Sequence, residues 1–275
     1  MKAVDERRGR LTREGIRIHE LADFAGMAEA GRVVAQILDD ITPHVQPGVT
    51  TGALDKLILE MVEAHGATSA TIGYNGYQHA SCISLNHVVC HGIPGDKVLK
   101  DGDIMNIDVT VIVDGWYGDS SRMYVAGSLS RKAQRLIDVT HEALMVGLAQ
   151  AKPGNTYGDI GHAIQTYVEA QRMSVVRDFC GHGLGRVFHA PPNVLHYGRA
   201  GSGPVLEEGM FFTIEPMVNL GKHETKVLAD GWTAVTRDKS LSAQFEHSIG
   251  ITADGHEVFT ASPGGIFYPT QDLAK

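Results

Sequence analysis

The sequence predicts an α+β protein with antiparallel sheet rather than alternating βαβ units. Three observations predict it. Helical patterning precedes strand-like patterning, and this order occurs twice. The longest strand-like stretch turns back at Asp114-Gly115, a dipeptide that favours a two-residue type I′ hairpin turn. Two short motifs recur at nearly one offset. Pro47-Gly-Val-Thr-Thr-Gly52 resembles Pro153-Gly-Asn-Thr-Tyr-Gly158, 106 positions on, and the stretch Leu99 to Asp108 resembles Leu206 to Glu215, 107 positions on. Chance likeness of turn motifs and duplication of a helix–strand half both account for the recurrence. Duplication would put Asp108 and Glu215 at equivalent strand positions facing one site.

The elements follow in order. Helical patterning dominates residues from about 12 to about 65. Within it Thr50 caps a helix carrying Leu54, Leu57, Ile58, Met61 and Val62, and Gly66 ends it. Strand-like segments come next, at Cys82–Leu85 and Ile104–Tyr124. Helical segments at Arg131–Ala151 and Tyr157–Gln171 open the second half, and strand-like segments at Met210–Met217 and Phe245–Ile251 close it. No linker or low-complexity stretch separates the halves, so residues 1-275 read as a single domain, with halves of roughly 12-125 and 126-260, a short N-terminal extension and a C-terminal tail.

Composition narrows the function classes. The chain has 275 residues, 43% hydrophobic and 20% charged, as expected for a globular protein with a sizeable core. A net charge of −8 argues against nucleic acid or an anionic membrane as the main partner. There is no apolar run of about 18 residues to span a membrane, and Met-Lys-Ala-Val-Asp-Glu-Arg-Arg lacks a signal peptide's apolar segment. Three cysteines, Cys82, Cys90 and Cys180, cannot all pair and lack zinc-finger spacing. A cytoplasmic location follows as the expectation.

Five side chains point to chemistry: Asp108, Asp119, His182, Glu215 and Glu246. In a hairpin turning at Asp114-Gly115, Val113 faces Trp116, Thr110 faces Asp119 and Asp108 faces Ser121. Period-two alternation then puts Asp108 and Asp119 on one face as diagonal neighbours, roughly 5–8 Å apart. A β-bulge would change that parity. Two like charges so close in an apolar hairpin repel, and a divalent cation removes the repulsion. Glu215 ends the apolar run Phe-Phe-Thr-Ile, and Glu246 lies in Ala-Gln-Phe-Glu-His-Ser-Ile-Gly. Each alone could be a strand-edge or solvent-facing carboxylate. A buried one needs a partner. His182 sits between glycines, which let the backbone approach a site closely. Gly181-His-Gly-Leu-Gly185 matches neither the Rossmann nor the P-loop spacing. Four carboxylates and one imidazole balance two divalent ions and would accept Mn, Fe, Co or Zn. The expected reaction class is hydrolysis.

At this point the chain resembles the type I methionine aminopeptidases of the pita-bread fold, from about Thr12 to about Thr260. The motifs carrying the resemblance are Cys90-His-Gly-Ile-Pro, Gly102-Asp-Ile-x-Asn-Ile-Asp-Val, Gly118-Asp-x-Ser, Gly181-His-Gly-Leu-Gly, Phe188-His, Thr213-Ile-Glu-Pro and Gln244-Phe-Glu-His. The resemblance implies two pseudo-symmetric halves and a central antiparallel sheet covered by helices. It implies that Asp108 chelates one metal, that Asp119 and Glu246 bridge, and that His182 and Glu215 bind the other. Glu215 would also shuttle a proton, His91 would contact the substrate's amide nitrogen, and His189 would help stabilise the tetrahedral oxyanion. Tyr74, Tyr77, Cys82, Phe188 and Trp232 fall where the family builds its methionine pocket. The implied substrates are nascent polypeptide N-termini near the ribosome, and the implied state is a monomer. Two features depart from the family: Thr71 replaces a frequent Cys, and Ala190-Pro191-Pro192 stands where acidic residues are common.

Three rivals fit less well. Prolidase and aminopeptidase P share the metal set but usually carry an extra N-terminal domain, and only about 90 residues precede His91. Type II methionine aminopeptidases carry an insertion between two glutamates, which here are 31 positions apart (246 minus 215). A catalytically dead binding module of the same fold would have lost metal ligands, and all five are present.

Overall fold

A computed structural model describes residues 9–266. The expected N-terminal extension and C-terminal tail lie largely in residues 1–8 and 267–275, outside the described residues. Helices α1 (Leu21–Asp40) and α2 (Thr51–Ala64) come first. Strands β1 (Ser81–Leu85), β2 (Val88–Cys90), β3 (Asp103–Val113) and β4 (Trp116–Ala126) follow. Helices α3 (Arg131–Leu148) and α4 (Tyr157–Ala170) open the second half. Its principal strands are β5 (Gly181–Gly183), β6 (Ala190–Val194), β7 (Phe211–Ile214), β8 (Met217–Asn219), β9 (Ala234–Thr236), β10 (Ser242–Gln244) and β11 (His247–Ile251). All strand pairs are antiparallel.

The helices form where caps and apolar spacing coincide. Thr50, Ser130 and Thr156 each accept a backbone N–H at the N-terminus of α2, α3 and α4, and Asp159 completes a capping box with Thr156. In α2, Leu54, Ile58 and Val62 are buried at i, i+4, i+8 spacing. The first helix starts at Leu21, later than the predicted 12. Residues Arg10–Leu11 and Arg17–Ile18 instead pair as short strands, and Ile18 bridges to Met210. Ile16, just before the second strand, is buried.

The motif repeat reappears as matched hydrogen bonds. Gly48 N–H donates to Leu99 O, and Gly154 N–H to Leu206 O. Leu99 N–H donates to Val49 O, and Leu206 N–H to Asn155 O; Gly52 donates to Gly95, and Gly158 to Ser202. Each half has its own core, one built on α1, α2, β1 and β3, the other on α3, α4, β7 and β11. Helix α1 lies across β4, and Gly118 permits the contact, because a Cβ there would collide with the Ala30 carbonyl. The halves meet at β4 and β11. Glu246 N–H donates to Ser121 O at 3.0 Å, Ser120 Oγ to Glu246 O at 2.8 Å, and Ser248 Oγ to Asp119 O at 2.6 Å.

Candidate active site

The hairpin β3–β4 pairs without a bulge from Asp103↔Ala126 to Val113↔Trp116. Asp108 therefore faces Ser121 and Thr110 faces Asp119, the register expected from the turn dipeptide. Thr110 Oγ1 donates to Asp119 Oδ1 at 2.7 Å. On its other edge β3 pairs with β1, where Cys82 stands opposite Asp108.

Glu215 and Glu246 do not lie inside continuous strands. Sheet pairing ends at Ile214↔His247, Pro216 has no N–H to extend it, and β8 starts at Met217 on a different sheet. Glu246 occupies the matching gap between β10 and β11. At these breaks the two glutamates leave the ladder and reach the cavity. Thr213 Oγ1 donates to Glu215 Oε1 at 2.7 Å, and Gln244 Nε2 to Glu215 Oε2 at 3.3 Å.

His182 joins them from β5. Its Nε2 lies 3.4 Å from Asp119 Oδ2 and 3.8 Å from Glu215 Oε1. Its Nδ1 is 3.1 Å from the Gly183 carbonyl, which assigns the proton there and leaves Nε2 facing the acids. Asp119, His182 and Glu246 present ligand atoms within 4.8 Å of one another, an arrangement able to hold a metal ion. Asp108 and Glu215 line the same cavity, which has a volume of about 760 Å³.

Burial dominates the electrostatics. It raises the Asp108 carboxyl well above the usual range, helped by Asp119 and Glu215. It raises Glu246 in the same way, with Asp119, Glu215 and Asp108 adding to it, and it lifts Glu215 to about 7. Burial alone would lower His182, but Asp119 and Glu215 overcome it and bring the ring to about 9. His189 is pushed down to about 4 by burial and by His182, and burial also lowers His91.

Residues 25–253 match the profile of Metallopeptidase family M24. A methionine aminopeptidase of Rickettsia prowazekii is 56% identical over 255 residues, covering 92% of this chain and 98% of that protein. The chain belongs to the methionine aminopeptidases of metallopeptidase family M24. A crystal structure of methionine aminopeptidase from Rickettsia prowazekii matches at TM-score 0.88 and 56% identity, over 89% of this chain and 99% of that one. One from Thermotoga maritima matches at TM-score 0.87 and 41% identity, with the same coverage. A prolidase from Pyrococcus horikoshii matches at TM-score 0.71 but 20% identity, over 88% of this chain and 63% of that one, which shows a shared pita-bread fold alone.

The remaining residues expected from the methionine aminopeptidase pattern also line the cavity: Tyr74, Tyr77, Cys82, His91, Phe188, His189 and Trp232. Tyr77 packs on Trp232 at 5.0 Å between ring centroids, and Tyr74 on Phe188 at 4.9 Å. Tyr77 Oη donates to Ser81 O at 2.9 Å, so the ring is fixed with its polar end satisfied. His189 lies 4.2 Å from the His182 ring. His91 follows β2 with φ 55, a left-handed conformation costing a non-glycine residue roughly 1–3 kcal/mol. Of the two departures, Thr71 lines the cavity and donates to His79 O at 2.7 Å, and Ala190 and Pro191 line it without charge.

Several cavity or supporting residues carried no expected role. Gln244 and Thr213 stand inside the motifs, so adjacency to a glutamate was the available signal. Asp178 and Cys180 line the cavity just before His182. His196, which accepts from Glu215 N–H at 3.0 Å, lies outside every motif.

Proposed function

We propose that this methionine aminopeptidase removes the N-terminal methionine from nascent proteins and peptides, prefers a small second residue, and uses two divalent ions held by Asp108, Asp119, His182, Glu215 and Glu246. Convergence carries this reading: four carboxylates and an imidazole, drawn from both halves, share one cavity with Tyr74, Tyr77, Cys82, Phe188 and Trp232. The donor set fits such ions. Four carboxylates balance two divalent charges, and among the described residues no lysine or arginine lines the cavity to do so instead. The burial and mutual repulsion that lift Asp108, Glu215 and Glu246 are what cations relieve. By the family's pattern Asp108 would hold one ion, His182 and Glu215 the other, with Asp119 and Glu246 bridging; Co, Mn, Fe or Zn suits the set. Bound there, such ions acidify a water and polarise the scissile carbonyl.

The chain's own groups supply the rest. Glu215 would take a proton from the attacking water on its Oε atoms and deliver it toward the leaving amine. Burial keeps the His91 and His189 rings neutral at pH 7, so each offers one N–H. His91 would meet the amide nitrogen, and His189 the oxygen that becomes negative. The aromatic and thiol lining suits an unbranched thioether, and crowding beside the carboxylates favours a small second residue.

The chain would act as one catalytic domain, monomeric and cytoplasmic, on nascent N-termini near the ribosome. Among the described residues no helix is long and apolar enough to cross a membrane. Release of free methionine from a Met-Ala-Ser-type peptide by metal-reconstituted protein tests the activity. Matched Met-Gly, Met-Ala, Met-Leu and Xaa-Pro peptides test the specificity. Faster cleavage of Xaa-Pro peptides lacking Met than of Met-Ala would replace it with a proline-directed one.

A further inference from the structure

Glu215 sits where the main chain leaves one sheet before joining another. Its N–H therefore has no ladder partner, since pairing stops at Ile214↔His247. His196 Nε2 accepts that N–H at 3.0 Å. This histidine is fully buried, two residues beyond β6. Its loop is pressed against α4 at Gly161, where a Cβ would collide with the Leu195 and Tyr197 carbonyls. The imidazole is thus held between a helix and the break that bears Glu215.

The bond fixes the tautomer. A ring accepting at Nε2 must carry its proton on Nδ1. His196 Nδ1 is buried and has no hydrogen-bond partner among the described residues. An unsatisfied buried donor is destabilising. A leucine or phenylalanine would avoid that cost, but the Glu215 N–H would then lose its acceptor. Three elements consequently converge on one residue: His196 holds its main chain, Thr213 its Oε1 and Gln244 its Oε2.

We infer that His196 is a positioning residue for Glu215, its Nε2 pinning the main chain at the strand break so that Thr213 and Gln244 can aim the carboxylate into the cavity. This rests on the reading of Glu215 as metal ligand and proton carrier given above. Outer partners of metal ligands typically change affinity or activity by about 10–100-fold.

Two measurements on the full chain test it. In the zinc-loaded, nitrogen-labelled protein, NMR should show the His196 ring with bare Nε2 and protonated Nδ1, its signal assigned by its loss in His196→Phe. A protonated Nε2 at His196 overturns the inference. Calorimetric titration with Mn²⁺ alone, and kinetics on Met-Ala-Ser, should show His196→Phe weaker in metal binding and lower in kcat by about 10-fold or more, with KM within about two-fold. His196→Gln, whose side-chain oxygen can accept the same N–H, should recover part of both. A folded His196→Phe with unaltered Mn²⁺ affinity and kcat overturns this inference alone. An unaltered protein that binds no Mn²⁺ overturns the metal reading as well.

Discussion

Thr110 Oγ1 donates to Asp119 Oδ1 across the β3–β4 hairpin at 2.7 Å, deep in the protein. The bond leaves Asp119 Oδ2 to face His182 Nε2. A hydrogen bond to a charged group is worth about 1.5–3 kcal/mol, and it also fixes which oxygen points at the cavity. Thr110→Val keeps the shape and removes the donor. We expect kcat/KM to fall by about 10–100-fold, with Thr110→Ser restoring most of it. Unaltered kinetics in a folded Thr110→Val protein would show that the orientation of Asp119 does not depend on the hydroxyl.

The same hairpin shows what the sequence could reveal. Asp114-Gly115 fixes the turn, the turn fixes the register, and period two then fixes which side chains share a face. Asp108, Thr110 and Asp119 were therefore readable by counting. Glu215 and Glu246 were readable as misplaced acids in apolar runs, but the runs read as unbroken strands. Pro216 was a local sign of the first break, but which sheet each flank joins, there and at Phe245-Glu246, is a tertiary choice with no local pattern. His196 was not readable, because its role is one bond to a residue 19 positions away. The strand pair before α1 was missed for a different reason: its strands, Arg10–Leu11 and Arg17–Ile18, are two residues each, too short for alternation to show in the sequence.

Activity should depend on divalent ions, because Asp108, Asp119, Glu215 and Glu246 share one cavity and have no lysine or arginine beside them among the described residues. Chelation should abolish hydrolysis, and Mn, Fe, Co or Zn should restore it. Asp119→Asn should be among the most damaging substitutions, since Asp119 lies closest to His182 and is the acid the family pattern assigns to both ions. Titration of metal content against activity would count the ions required. Full activity after thorough demetallation would sink the metal mechanism.

Acid should destabilise the fold through His19. Its ring stacks on Phe211 at 4.2 Å, and burial lowers it to about 4 from an ordinary 6.5, against the opposing pull of Asp23. Between those values the unfolded chain binds the proton and the folded chain does not. Stability from this group is therefore complete above about pH 6.5 and declines as pH falls toward about 4. Other buried histidines, such as His196 at about 3, titrate in the same direction. The difference between His19→Gln and the unaltered protein isolates His19. Melting temperature should fall less steeply from pH 7 to 4.5 in the variant, and parallel curves would exclude this origin.

His189 should act in the transition state and not as a metal ligand. It lies beside His182, ring to ring at 4.2 Å, and packs on Phe188 at 4.1 Å and Tyr74 at 5.2 Å. Burial and the neighbouring His182 hold it neutral down to about pH 4, so at pH 7 it has one N–H to donate. A donor aimed at an oxygen that becomes negative gains strength only as hydroxide attacks. Removing such an interaction lowers kcat and leaves KM nearly unchanged. His189→Ala should cost roughly 10²–10³ in kcat, the usual loss for one oxyanion donor. Metal content should stay at that of the unaltered protein, because none of the five proposed ligands is touched. Kinetics and metal analysis on one preparation decide between the two roles. If the variant loses a metal while kcat per intact site is preserved, His189 is a ligand and the assignment to the oxyanion is wrong.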